Sequence, residues 1–186
     1  MGNNAPLTFA AVQDCSALTI RALIDTYAQT SPEKAFAVFP DTGSELSWSQ
    51  LQATCHKLNA YLHSLGAVPG DRIGMLSANG QSALEVFLGC MYGGFTVATF
   101  NPVAGDAALR YVLDHSEVTI LFADEGNADA ASQVCDEALP NLKVIRTQAI
   151  ESLDLPDGEA IAPCASPEPQ DDALLIYTSG TTGRPK

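Results

Sequence analysis

Ala173-Leu174-Leu175-Ile176-Tyr177-Thr178-Ser179-Gly180-Thr181-Thr182-Gly183-Arg184-Pro185-Lys186 runs from an apolar segment into glycines, hydroxyls and a lysine. The spacing predicts a short buried strand over 173–177 that opens into a loop. Such a loop suits phosphate. Glycines let backbone N–H groups turn inward and approach an anion closely. The hydroxyls of Thr178, Ser179, Thr181 and Thr182 add uncharged donors, and Lys186 adds a movable cation. The pattern is not the Walker loop, which needs four residues between its glycines. Here two residues separate Gly180 from Gly183, and Pro185 precedes the lysine. Taken bare, Gly-Thr-Thr-Gly is a surface turn; strand, hydroxyls, proline and lysine together favour a phosphate site.

Composition narrows the classes. The 186 residues are 46% hydrophobic and 17% charged, which fits a folded domain and excludes a disordered chain. The formal net charge is −13, and the nine basic residues form no stripe, so no nucleic-acid partner is expected. Two of those nine cations, Arg184 and Lys186, stand in the terminal loop, where an anionic ligand would want them. No run approaches the ~20 apolar residues of a membrane span. Met1-Gly2-Asn3-Asn4-Ala5-Pro6 has no basic-then-apolar leader, and Pro6 occupies the position where a myristoylation motif wants Ser or Thr. Five scattered cysteines read as reduced thiols, and a cytoplasmic protein is expected. His56 and His63, seven apart, lack a third ligand, so no metal site is assigned.

Working back from the loop, residues 147–172 hold seven acids, four prolines and no Lys or Arg, and read as a long solvated connector. An acidic binding segment is the other reading. Upstream of it, helix and strand alternate. Ile20, Leu23, Ile24, Tyr27 and Ala28 recur at helical spacing behind a Thr19 cap. Strands at 35–39 and 45–47 flank Asp41-Thr42-Gly43 as a hairpin. Ser47 and Gln50 form a capping box, and Gly66 closes the helix they open. Strands follow at 72–76, 95–100, 118–122 and 142–145, with helices at 82–92, 106–115 and 128–139 between them. This βαβ spacing predicts an α/β fold with a mainly parallel sheet and helices on both faces. The expected division is an extended arm at 1–17, an α/β subdomain at 18–146, the connector at 147–172, and 173–186 opening a second subdomain.

The terminal string resembles the phosphate-binding signature of the adenylate-forming enzymes: acyl- and aryl-CoA synthetases, firefly luciferase and the adenylation domains of nonribosomal peptide synthetases. Three upstream motifs extend the likeness over about residues 20–186. Leu46-Ser47-Trp48-Ser49-Gln50-Leu51 is similar to the family's early strand-to-helix motif, with Trp48 and Gln50 where tyrosine and glutamate are usual. Gly66-Ala67-Val68-Pro69-Gly70-Asp71-Arg72-Ile73 resembles its Gly-x-x-x-Gly-Asp-x-Val turn. Met91-Tyr92-Gly93-Gly94-Phe95-Thr96-Val97-Ala98-Thr99-Phe100-Asn101-Pro102 resembles its second core motif, with the Asn-Pro ending of CoA ligases.

The resemblance implies the N-terminal domain of that fold and a two-step reaction. A carboxylate attacks the α-phosphorus of ATP, giving acyl-adenylate and pyrophosphate; a thiol, usually CoA, then takes the acyl group. It implies that Thr178, Ser179, Gly180, Thr181, Thr182 and Gly183 hold the β- and γ-phosphates. Lys186 assists, and Mg2+ enters through the phosphates, with Thr178 within its reach. The acid is a small molecule, fatty, aromatic or amino, chosen by residues beyond position 186. Relatives are several times longer, and their adenine-binding motifs, acidic magnesium ligand, acyl pocket and catalytic lysine lie downstream. No catalytic residue is therefore assigned here. The chain is expected to be inactive alone and to dock on the remainder of the domain. The alternative is a non-catalytic α/β binding module derived from the same family. A dinucleotide-binding Rossmann domain fits less well, since Gly-x-Gly-x-x-Gly follows none of the expected strands.

Overall fold

A computed structural model of the chain describes residues 18–101, 103, 105–139, 141–156 and 166–178. The expected arm at 1–17 and loop residues Ser179, Gly180, Thr181, Thr182, Gly183 and Lys186 lie outside them. Helix α1 (Ile20–Thr30) is followed by strands β1 (Ala35–Phe39) and β2 (Ser44–Ser47), then α2 (Trp48–Ser64). Strands β3 (Arg72–Leu76), β4 (Thr96–Thr99), β5 (Ile120–Asp124) and β6 (Lys143–Thr147) alternate with α3 (Gln81–Gly93), α4 (Asp106–Ser116) and α5 (Ala128–Ala138). The last strand is β7 (Leu174–Ile176).

Local chemistry sets the helix ends. Ser47 Oγ accepts from the Gln50 amide at 3.3 Å, and Gln50 Oε1 accepts from the Ser47 amide at 2.8 Å, completing the capping box. Thr19 Oγ1 caps α1 through the Ala22 amide. At the far end of α2 the Gly66 amide reaches His63 O and the Ala67 amide reaches Leu62 O. That paired closure requires a left-handed residue, and Gly66 supplies it at φ +93. Beyond α4, Glu117 takes a left-handed cap at φ 56. The turn uses Val118 and Thr119, so β5 starts two residues later than expected and ends on Asp124.

Five strands form one parallel sheet in the order β6-β5-β3-β4-β7. Side chains alternate across it. Ile73, Val97, Ile120 and Phe122 face Leu58 and Leu62 of α2 and Val86 and Cys90 of α3. Leu76, Ala98, Leu121 and Ala123 face Leu109, Val112 and Leu113 of α4 and Ala131 and Val134 of α5. The sheet thus has helices on both faces, as the βαβ spacing predicts. Outside α2 and α3 lies a third layer of α1 and the β1–β2 hairpin. Trp48 ties it down by stacking on Tyr27 at 4.5 Å and tilting against Phe36 at 4.7 Å.

Two stretches differ from their sequence reading. The strand set apart as opening a second subdomain pairs with β4 through Leu174–Val97, Leu175–Ala98 and Ile176–Thr99, so it extends the first sheet. The connector is not solvated throughout. Its opening residue Thr147 belongs to β6, and Leu153 and Leu155 are buried among the α2–α3 residues. Alternate apolar residues inside an acidic run are enough to seat it, because every second side chain turns inward.

Candidate functional site

Every strand of the sheet points its carboxyl end toward one crest, where open α/β sheets place ligands. Two positions on that crest deserve comparison. The first is the point of reversal. The β3–α3–β4 crossover lies on one face and β5–α5–β6 on the other, so chain direction reverses between the neighbours β3 and β5. This gap is filled by protein. Asp124, 3% exposed, accepts the Ala78 amide at 2.6 Å with one oxygen. Its other oxygen accepts the Asn127 amide and side chain at 3.0 and 2.7 Å. The Ala149 backbone lies against Gly80, where a Cβ would strike its carbonyl oxygen.

The strap that covers this end is tied to α3. Glu85 is fully buried and its carboxylate accepts the Leu153 amide at 2.6 Å, the Ser152 hydroxyl at 3.1 Å and Gln81 Nε2 at 2.9 Å. A buried carboxylate with this many donors is satisfied, so it is structural rather than poised for chemistry. The sequence signal for it was a lone acid inside the apolar run Ala83-Leu84-Glu85-Val86-Phe87.

The second position is the open end of β7. Tyr177 and Thr178 leave the sheet there, beside exposed Asn101 and Val103 from the loop after β4. Thr178 is exposed, and it is the described member of the expected phosphate-binding set. Tyr177 is half-buried. Its hydroxyl and His115 Nδ1 lie 2.9 Å apart, and its ring packs near Phe100. Burial raises the Tyr177 pKa, so the phenol keeps its proton. Neither partner is legible from spacing, since 62 residues separate them.

Other ionisable groups cluster away from the crest. Tyr92 donates to Asp25 Oδ1 at 2.7 Å and lies 3.2 Å from His56 Nε2, while Arg21 packs over its ring. Burial above all, then the Asp25 hydrogen bond, raises the Tyr92 pKa. His56 and His63 go separate ways, His56 to Tyr92 and His63 against the Phe95 ring. Among the described residues no group of three His, Cys, Asp or Glu side chains is placed to hold a metal ion. No helix among them is long and apolar enough to cross a membrane.

The family model for AMP-binding enzymes matches residues 24–186. The chain belongs to the AMP-binding enzyme family, whose members include the adenylate-forming CoA ligases. It is 32% identical over 172 residues to a sulfoacetate–CoA ligase of Cupriavidus necator, an alignment covering 90% of this chain and 34% of that one. It is 29% identical over 188 residues to a 3-methylmercaptopropionyl-CoA ligase of Ruegeria pomeroyi, covering 91% and 34%. Among solved structures, an anthranilate CoA ligase in complex with anthranoyl-AMP superposes with a TM-score of 0.78 at 17% identity. That match covers 92% of this chain and 33% of that one, and at this identity it shows the fold alone. The chain thus spans about a third of the length of these relatives, in their N-terminal part.

Proposed function

We propose that this chain is the N-terminal part of an ATP-dependent ligase that activates a carboxylate as an acyl-adenylate and passes it to CoA. The observation that carries the reading is the delivery of Tyr177 and Thr178, by a strand of the main sheet, to its open crest directly ahead of residues 179–186. Thr178, Ser179, Gly180, Thr181, Thr182 and Gly183 hold the β- and γ-phosphates through hydroxyl and backbone donors. Lys186 adds a cation on a flexible stem. The donor set fits a polyphosphate: it is uncharged apart from the cations, and it leaves the leaving group's charge to be offset by electrostatics. Magnesium bound to the phosphates supplies further neutralisation, with the Thr178 hydroxyl as the described group nearest to that role. The adenine, the acid and CoA are gripped by downstream residues, so this chain alone forms no acyl-adenylate. Reduced Cys55 and Cys90 accord with a cytoplasmic setting.

The rest of the ligase docks on the edge of β7 that pairs with no described strand. Leu174 and Ile176 are 40% and 58% exposed on the sheet face that α2 and α3 cover elsewhere. That open edge also favours the second reading, a binding module that offers the same surface to a separate partner.

Equilibrium binding of Mg-ATP and of inorganic tripolyphosphate tests the site. Carboxylate-dependent pyrophosphate exchange tests the reaction, across a panel including fatty, aromatic and sulfonated acids. Polyphosphate binding weakened about 10-fold by Lys186→Ala, with no exchange from this chain alone, is expected. Absence of binding overturns the phosphate assignment. Clear exchange by this chain overturns its dependence on downstream residues.

A further inference from the structure

The strand that carries the loop is weakly held along most of its length. β7 has three residues and, among the described residues, backbone strand pairing on one side, to β4. Leu174 and Ile176 point their side chains to the uncovered face and contribute little packing. Only Leu175 and Tyr177 turn to the other face, toward the α4–α5 core cluster. A short edge strand held in this way belongs to the parts of a protein that open most easily. Any residue that fixes its end therefore controls where the next segment starts.

Tyr177 is such a residue. Its ring stands at 85° to the His115 ring with centroids 5.7 Å apart, and its hydroxyl meets Nδ1 at 2.9 Å. Phe100, the residue after β4, lies 6.1 Å away on another side. His115 is set in turn by Tyr111, one helical turn back on α4, at 5.6 Å. The side chain directly before Thr178 is thus fixed to two different elements, the end of β4 and the last turn of α4. Each residue of extended chain adds up to ~3.5 Å, so a small rotation at Tyr177 displaces donors several residues on by ångströms.

We propose that Tyr177 and His115 are positioning residues for the phosphate-binding loop: their hydrogen bond fixes the exit of β7 and so the point from which Thr178 and the residues after it start. The inference rests on the reading of 178–186 as a phosphate loop. It assigns a role to α4, an element that carries none of the loop's own residues. The bond contributes to ligand affinity, because a loop already aimed loses less freedom on binding.

The test uses the full chain with inorganic tripolyphosphate and Mg-ATP as probes. Tyr177→Phe keeps the ring and deletes the hydroxyl; His115→Leu removes the partner; His115→Asn restores a polar group near the Nδ1 position. Each of the first two is expected to weaken polyphosphate binding about 3- to 10-fold. The double variant weakens it no further, and His115→Asn recovers most of the affinity. Thermal midpoints are read in parallel, and a loss of affinity without a matching loss of stability separates positioning from general support. Should Tyr177→Phe fold poorly, the His115 ring proton resonances serve instead: they shift on adding tripolyphosphate to the unsubstituted chain. Unchanged affinity in every variant, or a His115 ring blind to tripolyphosphate that the chain binds, overturns the inference and leaves the phosphate loop standing. An unsubstituted chain that binds no tripolyphosphate overturns the loop assignment, and the inference falls with it.

Discussion

The crest of the sheet carries two gaps of opposite character. Between β3 and β5, where doubly wound folds usually seat a nucleotide, the chain has stopped the gap with its own backbone. Asp124 bridges the two flanking loops, and Ala149 presses on Gly80. At β7 the crest is open, the side chains are exposed, and the glycine-rich segment begins. The difference teaches that the topology alone does not locate the ligand. Under the proposed function the phosphates bind instead at the sheet edge, where β7 arrives late in the sequence beside β4.

The contrast can be broken by opening the closed gap. Gly80→Val has the largest expected effect. Gly80 has an extended backbone at φ 175, so there is no left-handed strain, and the whole cost comes from driving Ala149 off α3. A loss of about 2–3 kcal/mol in urea unfolding is expected. A loss under half of that would mean the strap yields easily and the gap is not truly stopped.

Glu85→Ala comes next. It strands the Leu153 amide, the Ser152 hydroxyl and Gln81 without an acceptor, at about 2 kcal/mol. Hydrogen exchange at Leu153 should accelerate in this variant while Leu175 exchanges as before. Acceleration at both would show that the two gaps are not independent.

A smaller effect sharpens the picture of the helices beneath the strap. Burial, then Asp25 and Glu85, raises the Cys55 thiol from 9.0 to about 12. The folded chain therefore holds that proton where the unfolded chain has released it. The associated stability is full below pH 9 and is lost as pH climbs toward about 12. By pH 10 the loss is about 1 kcal/mol. Denaturation curves at pH 8 and pH 10 should diverge less in Cys55→Ala than in the unsubstituted chain. Equal divergence would remove Cys55 from the account.

Asp124→Asn has the mildest effect, under ~1 kcal/mol, because an amide oxygen in the place of Oδ1 still accepts both Asn127 donors. It should leave tripolyphosphate binding untouched, and a change there would couple the two gaps.

What was legible beforehand follows from how far apart the interacting groups are. The caps at Thr19, Ser47 and Gly66 depend on neighbours a few residues away, and their residue types announce them. Strand order does not announce itself: nothing near Ile120 says it will pair beside Ile73, nor Leu174 beside Val97. The acidic connector misled because its composition, averaged over 26 residues, hid the alternation that buries Leu153 and Leu155. Of the candidate site, the proposed loop could be picked out as a string because the donors it offers are neighbours in sequence. The Tyr177–His115 contact could not, because it joins the last strand to a helix from mid-chain.

Strands β6 and β7 occupy opposite borders of the sheet, ~19 Å apart across four inter-strand steps. The described parts of the segment joining them, 148–156 and 166–173, lie on the α2–α3 side. Ser152 and Leu153 are pinned at Glu85, and Pro167 lies by Gly94 at the foot of β4. Among the described strands β7 pairs with β4 alone. The exposed tip of β7 is thus the part of this body whose local opening would disturb the remainder least.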